Sequence, residues 1–405
     1  MNIQTSSAIS KDLNLPLAKH TDLTWRMHAT QDVKYSVSIV NEILNPNNPS
    51  LAHACHKYVK SGEKTKILVV IDELVYNLYG DEFKNYFRNW NFDIRWKIIS
   101  GDEINKNMDA AISVAEAMAE AGLLRRGEVV IGIGGGVLLD VVGFASSLYR
   151  RGIPYVRIPT TLMGQIDAGI GIKTGVNHGD HKNRLGTYFA PSSALIDTSF
   201  LRSLSKRHIS NGVAEIIKMA LIKDFALFEL LDNLSSEMTA ELFSSDNSII
   251  KEIISRSIVG MLEELEPNLW EAELSRCVDY GHTFSPSLEL IATPELLHGE
   301  AVAVDMALCI GLARGRSLLS EEEANRAIAL IAKSGLPVRH PSFKHELLEK
   351  ALSDTVKHRD GQQRIPLTEG LGAVTFVNDL TSAELAAALE FLDERQHMFS
   401  QAITV

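Results

Sequence analysis

Cysteine is scarce in this chain of 405 residues: Cys55, Cys277 and Cys309 lie far apart, without a CxxC pair. That excludes a disulfide framework and a thiolate zinc site, and it fits a reducing compartment. Positive charge is in deficit. The 40 Lys and Arg stand against 51 Asp and Glu, for a formal net charge of −11. A nucleic-acid partner is excluded on that balance, because neutralising phosphates needs clustered Lys and Arg. An anionic small-molecule substrate would require a local basic pocket set against the global field. Long hydrophobic runs are missing too: Gly or charge breaks each one before ~18 residues, so no membrane span is expected. The stretch MNIQTSSAISKDLNL lacks a basic start followed by an apolar core, so no secretory signal is expected. These absences predict a cytoplasmic protein. Internal repeats and low-complexity tracts are absent as well.

What is present is ordinary globular composition, 45% hydrophobic and 22% charged, enough for two substantial domains. Residues 1–25 are polar and aperiodic and predict a disordered leader. Over residues 26–200, short β-rich runs (66–71, 92–99, 128–134, 154–159, 193–197) alternate with amphipathic stretches such as 108–122. That alternation predicts an α/β, Rossmann-like nucleotide-binding domain with a parallel sheet. Over residues 201–405 helical periodicity takes over, with one short strand candidate at 372–377, which predicts a mostly α-helical second domain.

Three features carry chemistry. Gly132, Gly134, Gly135 and Gly136 follow an apolar strand and open a helix. Such a turn can hold a pyrophosphate on backbone N–H groups, and it is equally a tight turn that binds nothing. Asp72 closes the strand 66–71, where it can accept ribose hydroxyls or cap the next turn. Second, Glu215, His282 and His298 form a ligand set of the type that suits zinc or a related divalent metal with one position left open. A His beside Gly is also an ordinary turn residue. Glu215 and Lys218 are three apart on a predicted helix and share a face. Third, residues 149–191 are dense in cations (Arg150, Arg151, Arg157, Lys173, Lys182, Arg184) and broken by glycines. The stretch reads as a long loop that wraps a phosphate, rather than a merely solvated one.

The ordered segments GGGVLLDVVGFASSLYRRGIPYVRIPTTL, QIDAGIGIKTGVN, HKNRLGTYFAP, NGVAEIIKMA, YGHTFSP and LHGEAVAVDMA resemble the 3-dehydroquinate synthase superfamily of sugar phosphate cyclases over about residues 65–380. The resemblance implies a homodimer with an NAD-binding first domain and a metal- and substrate-binding helical second domain. It implies Glu215, His282 and His298 as ligands of Zn or Co. It implies NAD contacts from Asp72, Glu103, Lys106, Gly134, Gly135, Gly136, Asp140, Thr160, Thr161 and Lys182. It places Asp167, Lys173, Asn183 and Lys218 around the substrate, and Arg151 on the phosphate in the neighbouring subunit's site. The implied chemistry is transient oxidation of an alcohol by NAD, phosphate elimination, re-reduction and an intramolecular aldol step.

The chain departs from 3-dehydroquinate synthase where a substrate carboxylate would bind. The family's N-x-x-H-x-x-x-H stretch has Asp279 for Asn and Pro286 for the second His, and the Arg expected four residues before that Asn is Ser275. No Lys occurs from Glu252 through Ala332. A carboxylate would lack partners and meet Asp279, whereas a neutral polyol would find an acceptor. That pattern resembles the cyclases of sedoheptulose 7-phosphate, and among them the 2-epi-5-epi-valiolone type, with Asp279 and His358 as its marks. Desmethyl-4-deoxygadusol synthase is the nearest alternative, and a metal-dependent polyol or alcohol dehydrogenase is the alternative of another class.

Overall fold

The computed structural model describes residues 28–56, 65–179, 181–234, 237–292 and 295–399, with side chains to residue 395. The leader expected at 1–25 lies outside the described residues. The sheet strands are β1 (Ser36–Ile39), β2 (Lys66–Asp72), β3 (Asp93–Ile99), β4 (Val129–Gly134), β5 (Tyr155–Pro159) and β8 (Ser193–Ile196). They lie in the order β1-β8-β5-β4-β2-β3, and every neighbouring pair is parallel. β2 and β4 are almost continuously apolar because both faces are covered, as parallel sheets require.

The period-2 alternation sorts β2 between two cores. Ile67, Val69 and Ile71 pack with Tyr79, Phe83, Tyr86 and Phe87 of α2 (Glu73–Asn89), and with Leu51 and Ala52 of α1 (Ser50–His56). Leu68 and Val70 pack with Val114 and Met118 of α3 (Met108–Glu120) and Leu138 and Val142 of α4 (Gly136–Leu148). From β2 the chain moves to β3 on one side and then to β4 on the other. The carboxyl ends of β2 and β4 therefore flank a topological switch point, where α/β proteins bind ligands.

The cationic stretch 149–191 is not the long loop that its glycines predicted. β6 (Lys173–His178) and β7 (His181–Tyr188) form an antiparallel hairpin in which Gly175 faces Gly186. A Cβ on Gly175 would lie 2.8 Å from the Leu185 carbonyl oxygen, and one on Gly186 2.5 Å from that of Thr174. The glycines permit close pairing here rather than breaking it.

Past the sheet the chain is mostly helical: α5 (Lys206–Ile222), α6 (Phe225–Asp232), α7 (Ala240–Phe243), α8 (Ser248–Leu265), α9 (Ser285–Ile291), α10 (His298–Gly315), α11 (Glu321–Lys333), α12 (His345–His358) and α13 (Ser382–Phe399). The predicted strand near 372–377 is β10 (Val374–Val377), paired antiparallel with β9 (Ile365–Thr368). The helix α10 is buried from Gly299 to Ala313, as a helix apolar on all sides must be, and packs on α5, α9, α11 and α13. Among the described residues no helix is long and apolar enough to cross a membrane.

Candidate active site

Glu215 and Lys218 sit on the buried face of α5, whose N-terminus Ser205 caps through the His208 N–H. His298 is the first residue of α10. It reaches Glu215 because residue 299 is glycine: a Cβ there would sit 2.0 Å from the Asn211 carbonyl oxygen, one turn before Glu215. The Asn211 side chain then accepts the Gly299 N–H at 2.6 Å. His282 comes from the turn before α9. Buried Asp305 of α10 pins that turn by accepting the N–H groups of Phe284 and Ser285 at 2.6 and 2.8 Å. Burial pushes the Asp305 carboxyl up to about 6, against those same bonds.

The three expected ligands meet. One ligand atom from each of Glu215, His282 and His298 lies within 4.8 Å of the others. Nε2 of His282 is 3.6 Å from Glu215 Oε1, and Nε2 of His298 is 3.7 Å from it. Each Nδ1 is already committed, His282 donating to the Tyr280 carbonyl at 3.0 Å and His298 to Glu289 Oε1 at 2.9 Å. Both Nε2 lone pairs therefore face the carboxylate. Glu215 Oε1 is buried and accepts no hydrogen bond, while Oε2 touches the Lys218 ammonium without hydrogen-bond alignment. A buried carboxylate oxygen facing two imidazole lone pairs is the donor set of a divalent metal, so these residues fit one.

The electrostatics differ between the two histidines. Burial, with the charges of Lys218 and His298, pulls the His282 imidazole down to about 3, so it is neutral as a ligand must be. Burial also pulls His298 down, but Glu289 and then Glu215 outweigh it and raise its pKa. Lys218 is lowered by burial and raised more by Glu215 and Asp167, so it stays charged. Asp167, in the turn Gly164–Ala168, also exerts its charge on His298 and Lys173.

Glu289 also accepts Lys182 Nζ at 2.7 Å, which links the β6–β7 hairpin to the candidate ligand His298. Such an outer carboxylate fixes the histidine's tautomer and direction. Glu289→Gln should lower Zn²⁺ affinity about 10- to 100-fold in chelator competition. An unchanged affinity would remove Glu289 from the metal's support.

Near the switch point several of the residues expected to contact a nucleotide are neighbours. Asp72 ends β2, and the Gly134–Gly136 turn ends β4. Gly135 caps α4 with no side-chain bond, which leaves the helix N-terminus open to a phosphate. Asp72 caps α2 through the N–H groups of Leu74 and Val75 and also accepts the Gly101 N–H at 2.8 Å. The structure thus shows the capping reading of Asp72, and a carboxylate with these three bonds keeps about one acceptor position free. Thr160 N–H bonds the Gly134 carbonyl, and the Thr161 side chain lies against Gly135. Buried Lys106 donates to Asp140 and to Asn183, at 2.6 Å each. Asn177 joins that network, bonding the Asn183 N–H and Glu103. Asn183, expected beside the substrate, is held in this network at φ +52°.

A second charged cluster contains residues that spacing did not reveal. Lys173 and Arg276 both touch Glu271, and Tyr188 donates to it at 3.2 Å. Asp279 is held by Arg276 and by Arg359, the latter at 3.1 Å. The expectation that a substrate carboxylate would find no cation here took no account of two arginines, although Asp279 and Glu271 already engage them. Desolvation and the charge of Arg276 pull the Lys173 pKa down to about 8, against Asp279 and Asp167, although its side chain is 58% exposed and its ammonium touches Glu271. His358 is exposed in the last turn of α12, and its neighbour Arg359 is the residue that reaches Asp279. Arg151 is exposed at φ +62°, and its carbonyl accepts Arg125 Nη2 at 3.5 Å.

Comparison with known proteins agrees with this geometry. Residues 96–211 match the model of the 3-dehydroquinate synthase N-terminal region, and residues 212–358 that of its C-terminal region. The chain is 47% identical over 374 residues to a 2-epi-5-epi-valiolone synthase of Actinomyces sp, covering 91% of this chain and 98% of that one. It is 37% identical over 378 residues to the demethyl-4-deoxygadusol synthase of Trichormus variabilis, covering 92% and 90%. The structure of the 2-epi-5-epi-valiolone synthase ValA from Streptomyces hygroscopicus subsp. jinggangensis 5008, with NAD⁺ and Zn²⁺ bound, superposes with a TM-score of 0.85 at 47% identity, covering 92% of this chain and 100% of that one. A parallel sheet ending in an open glycine turn, followed by helices that converge a Glu and two His, is thus the 3-dehydroquinate synthase fold, and the chain belongs to that family of sugar phosphate cyclases.

Proposed function

We propose that this protein converts sedoheptulose 7-phosphate into 2-epi-5-epi-valiolone and phosphate, as a carbon–oxygen lyase. The observation that carries this reading is the 47% identity to 2-epi-5-epi-valiolone synthases over nearly their whole length, with Asp279 beside the ligand His282. The sum of the reaction is loss of phosphate from a ketose phosphate with no net redox change. When bound, NAD⁺ and a divalent metal such as Zn²⁺ or Co²⁺ supply the transient oxidation and the polarisation of the reacting oxygen.

The chain's own residues hold and orient the substrate. Glu215, His282 and His298 hold the metal, with Glu289 behind His298. Asp72, Glu103, Lys106, the Gly134–Gly136 turn, Asp140, Thr160, Thr161 and Lys182 hold the nucleotide. Lys173, Lys218 and Asp167 set the charge around the reacting part of the substrate. Asp279 accepts a hydroxyl from the polyol end, and His358 lies at the rim. Fixed placement of this kind accounts for much of the rate.

In this reading the protein is a cytoplasmic homodimer, with residues 26–200 as the nucleotide domain and 201–405 as the metal domain. Arg151 completes the phosphate subsite of the partner copy. Arg150 and Arg151 adopt φ +51° and +62°, a backbone strain that persists where function needs it. The three free, buried cysteines suit the reducing compartment.

Incubation with sedoheptulose 7-phosphate, NAD⁺ and Zn²⁺ or Co²⁺, followed by NMR of the product, tests the proposal. The expected result is 2-epi-5-epi-valiolone and free phosphate without lasting NADH. Recovery of desmethyl-4-deoxygadusol would move the chain to the neighbouring cyclase. Net NADH formation with a simple alcohol would make it a dehydrogenase.

A further inference from the structure

Asp279 is clamped from two sides. Arg276 donates Nη2 to Oδ1 and Nε to Oδ2, the latter at 3.3 Å, and Arg359 donates Nη2 to Oδ2 at 3.1 Å. A carboxylate offers about four acceptor positions, so these three bonds leave about one for a ligand hydroxyl. The Asp279 carbonyl meanwhile accepts the His282 N–H at 2.9 Å, which ties the same residue to the metal turn.

Arg359 is itself immobilised. It is the C-cap of α12, and the helix ends with Asp360 at φ +54° and the Gly361 N–H on the Val356 carbonyl at 3.0 Å, a left-handed termination. Its Nη1 donates to the carbonyls of Gln363 and Arg364 at 3.1 and 2.8 Å, and its side chain is only 12% exposed. The fork is therefore built by its own segment before it meets Asp279, 80 residues away in sequence. Arg276 is occupied as well, since Nη1 touches Glu271, which holds Lys173.

We propose that Arg359 is a positioning residue for specificity: with Arg276 it locks the Asp279 carboxylate so that its remaining acceptor faces the polyol end of the sugar phosphate. The inference rests on the cyclase reading above. It assigns to Arg359 the part in substrate choice that its neighbour His358 was expected to play. The two arginines are neutralised by Asp279 and Glu271, so they do not invite a substrate carboxylate. What the pocket presents instead is one oriented acceptor.

The test uses the full chain loaded with Zn²⁺ and NAD⁺, in the variants Arg359→Gln, Arg359→Lys, Asp279→Asn and Arg359→Gln with Asp279→Asn. Arg359→Gln should raise KM for sedoheptulose 7-phosphate about 10- to 100-fold and give a mixed product, with Zn²⁺ content and NAD⁺ affinity unchanged. Arg359→Lys should recover part of the loss. The double variant should be no worse than Asp279→Asn alone, because a residue acting through Asp279 has nothing further to lose. An unchanged KM, additive losses, or equal losses of Zn²⁺ and NAD⁺ binding would overturn the proposal. Should Arg359→Gln not fold, Arg359→Lys in the two Asp279 backgrounds decides the same point. If the wild type ignores sedoheptulose 7-phosphate, the functional reading fails separately. Hydrogen exchange over residues 276–284 then judges the clamp: faster exchange in Arg359→Gln supports it and unchanged exchange refutes it.

Discussion

His298→Ala should strip the divalent metal from the protein and lower kcat/KM for the sugar phosphate by at least about 10³-fold, while the chain stays folded. The loss of metal follows from the geometry. Three ligand atoms converge, and removing one leaves His282 and Glu215, too few to define a tetrahedral site. The loss of rate follows because a metal contributes several kcal/mol by stabilising charge on the reacting oxygen, and about 4 kcal/mol is about 10³-fold. The fold should survive because the His298 side chain is 39% exposed and at a helix N-terminus, so no large cavity opens. Metal analysis, a thermal melt against the metal-free wild type, and a phosphate-release assay check the three parts. Full turnover with no bound metal would dismiss the site.

Lys218→Met should act in two opposite directions. The Lys218 and Glu215 side chains are 3% and 1% exposed and touch each other. In the metal-free protein, removing the ammonium leaves a buried carboxylate without its cation, at a cost of roughly 3–5 kcal/mol. A bound divalent cation supplies Glu215 with another partner, so Zn²⁺ should close most of that gap by linkage. The variant should therefore bind Zn²⁺ more tightly than the wild type, since a neighbouring positive charge is gone. Turnover should still fall by about 10²-fold or more, the scale of a lost charge stabiliser in a water-poor site. Denaturant titrations with and without Zn²⁺, set beside steady-state rates, separate these effects. Equal stability of the metal-free wild type and variant would contradict the buried-pair account.

The contrast between Lys218→Met and Glu289→Gln is informative. Both alter charge beside the metal ligands, yet one should tighten metal binding and the other weaken it. Lys218 would compete with a metal for Glu215, whereas Glu289 would hold His298 in place for it. Zn²⁺ affinity thus reads out the role of each side chain without reference to substrate.

Much of this protein was legible from its residues. Apolar runs bounded by turn residues marked five of the six strands of the parallel sheet, but not the short, half-exposed edge strand β1. The helices of the second half showed in their periodicity. Glu215, His282 and His298 stood out because ligand chemistry admits few residue types, and the ordered motifs around them carried the family. The hairpin β6–β7 was misread, since a glycine that lets two strands approach closely has the same letter as one that breaks a strand. His358 drew notice and Arg359 did not, because adjacent residues on a helix end point in different directions.

The sequence by itself therefore determined the architecture and the kinds of chemistry the chain can do, since both depend on local pattern and residue type. Tertiary structure alone decided which charges meet. The Arg359 arm of the clamp on Asp279, the bond from Lys182 to Glu289, and the network of Lys106, Asp140 and Asn183 join residues far apart in the chain. An ion pair depends on a few ångströms of separation in space, and spacing along the chain carries no record of that once the chain has turned back on itself.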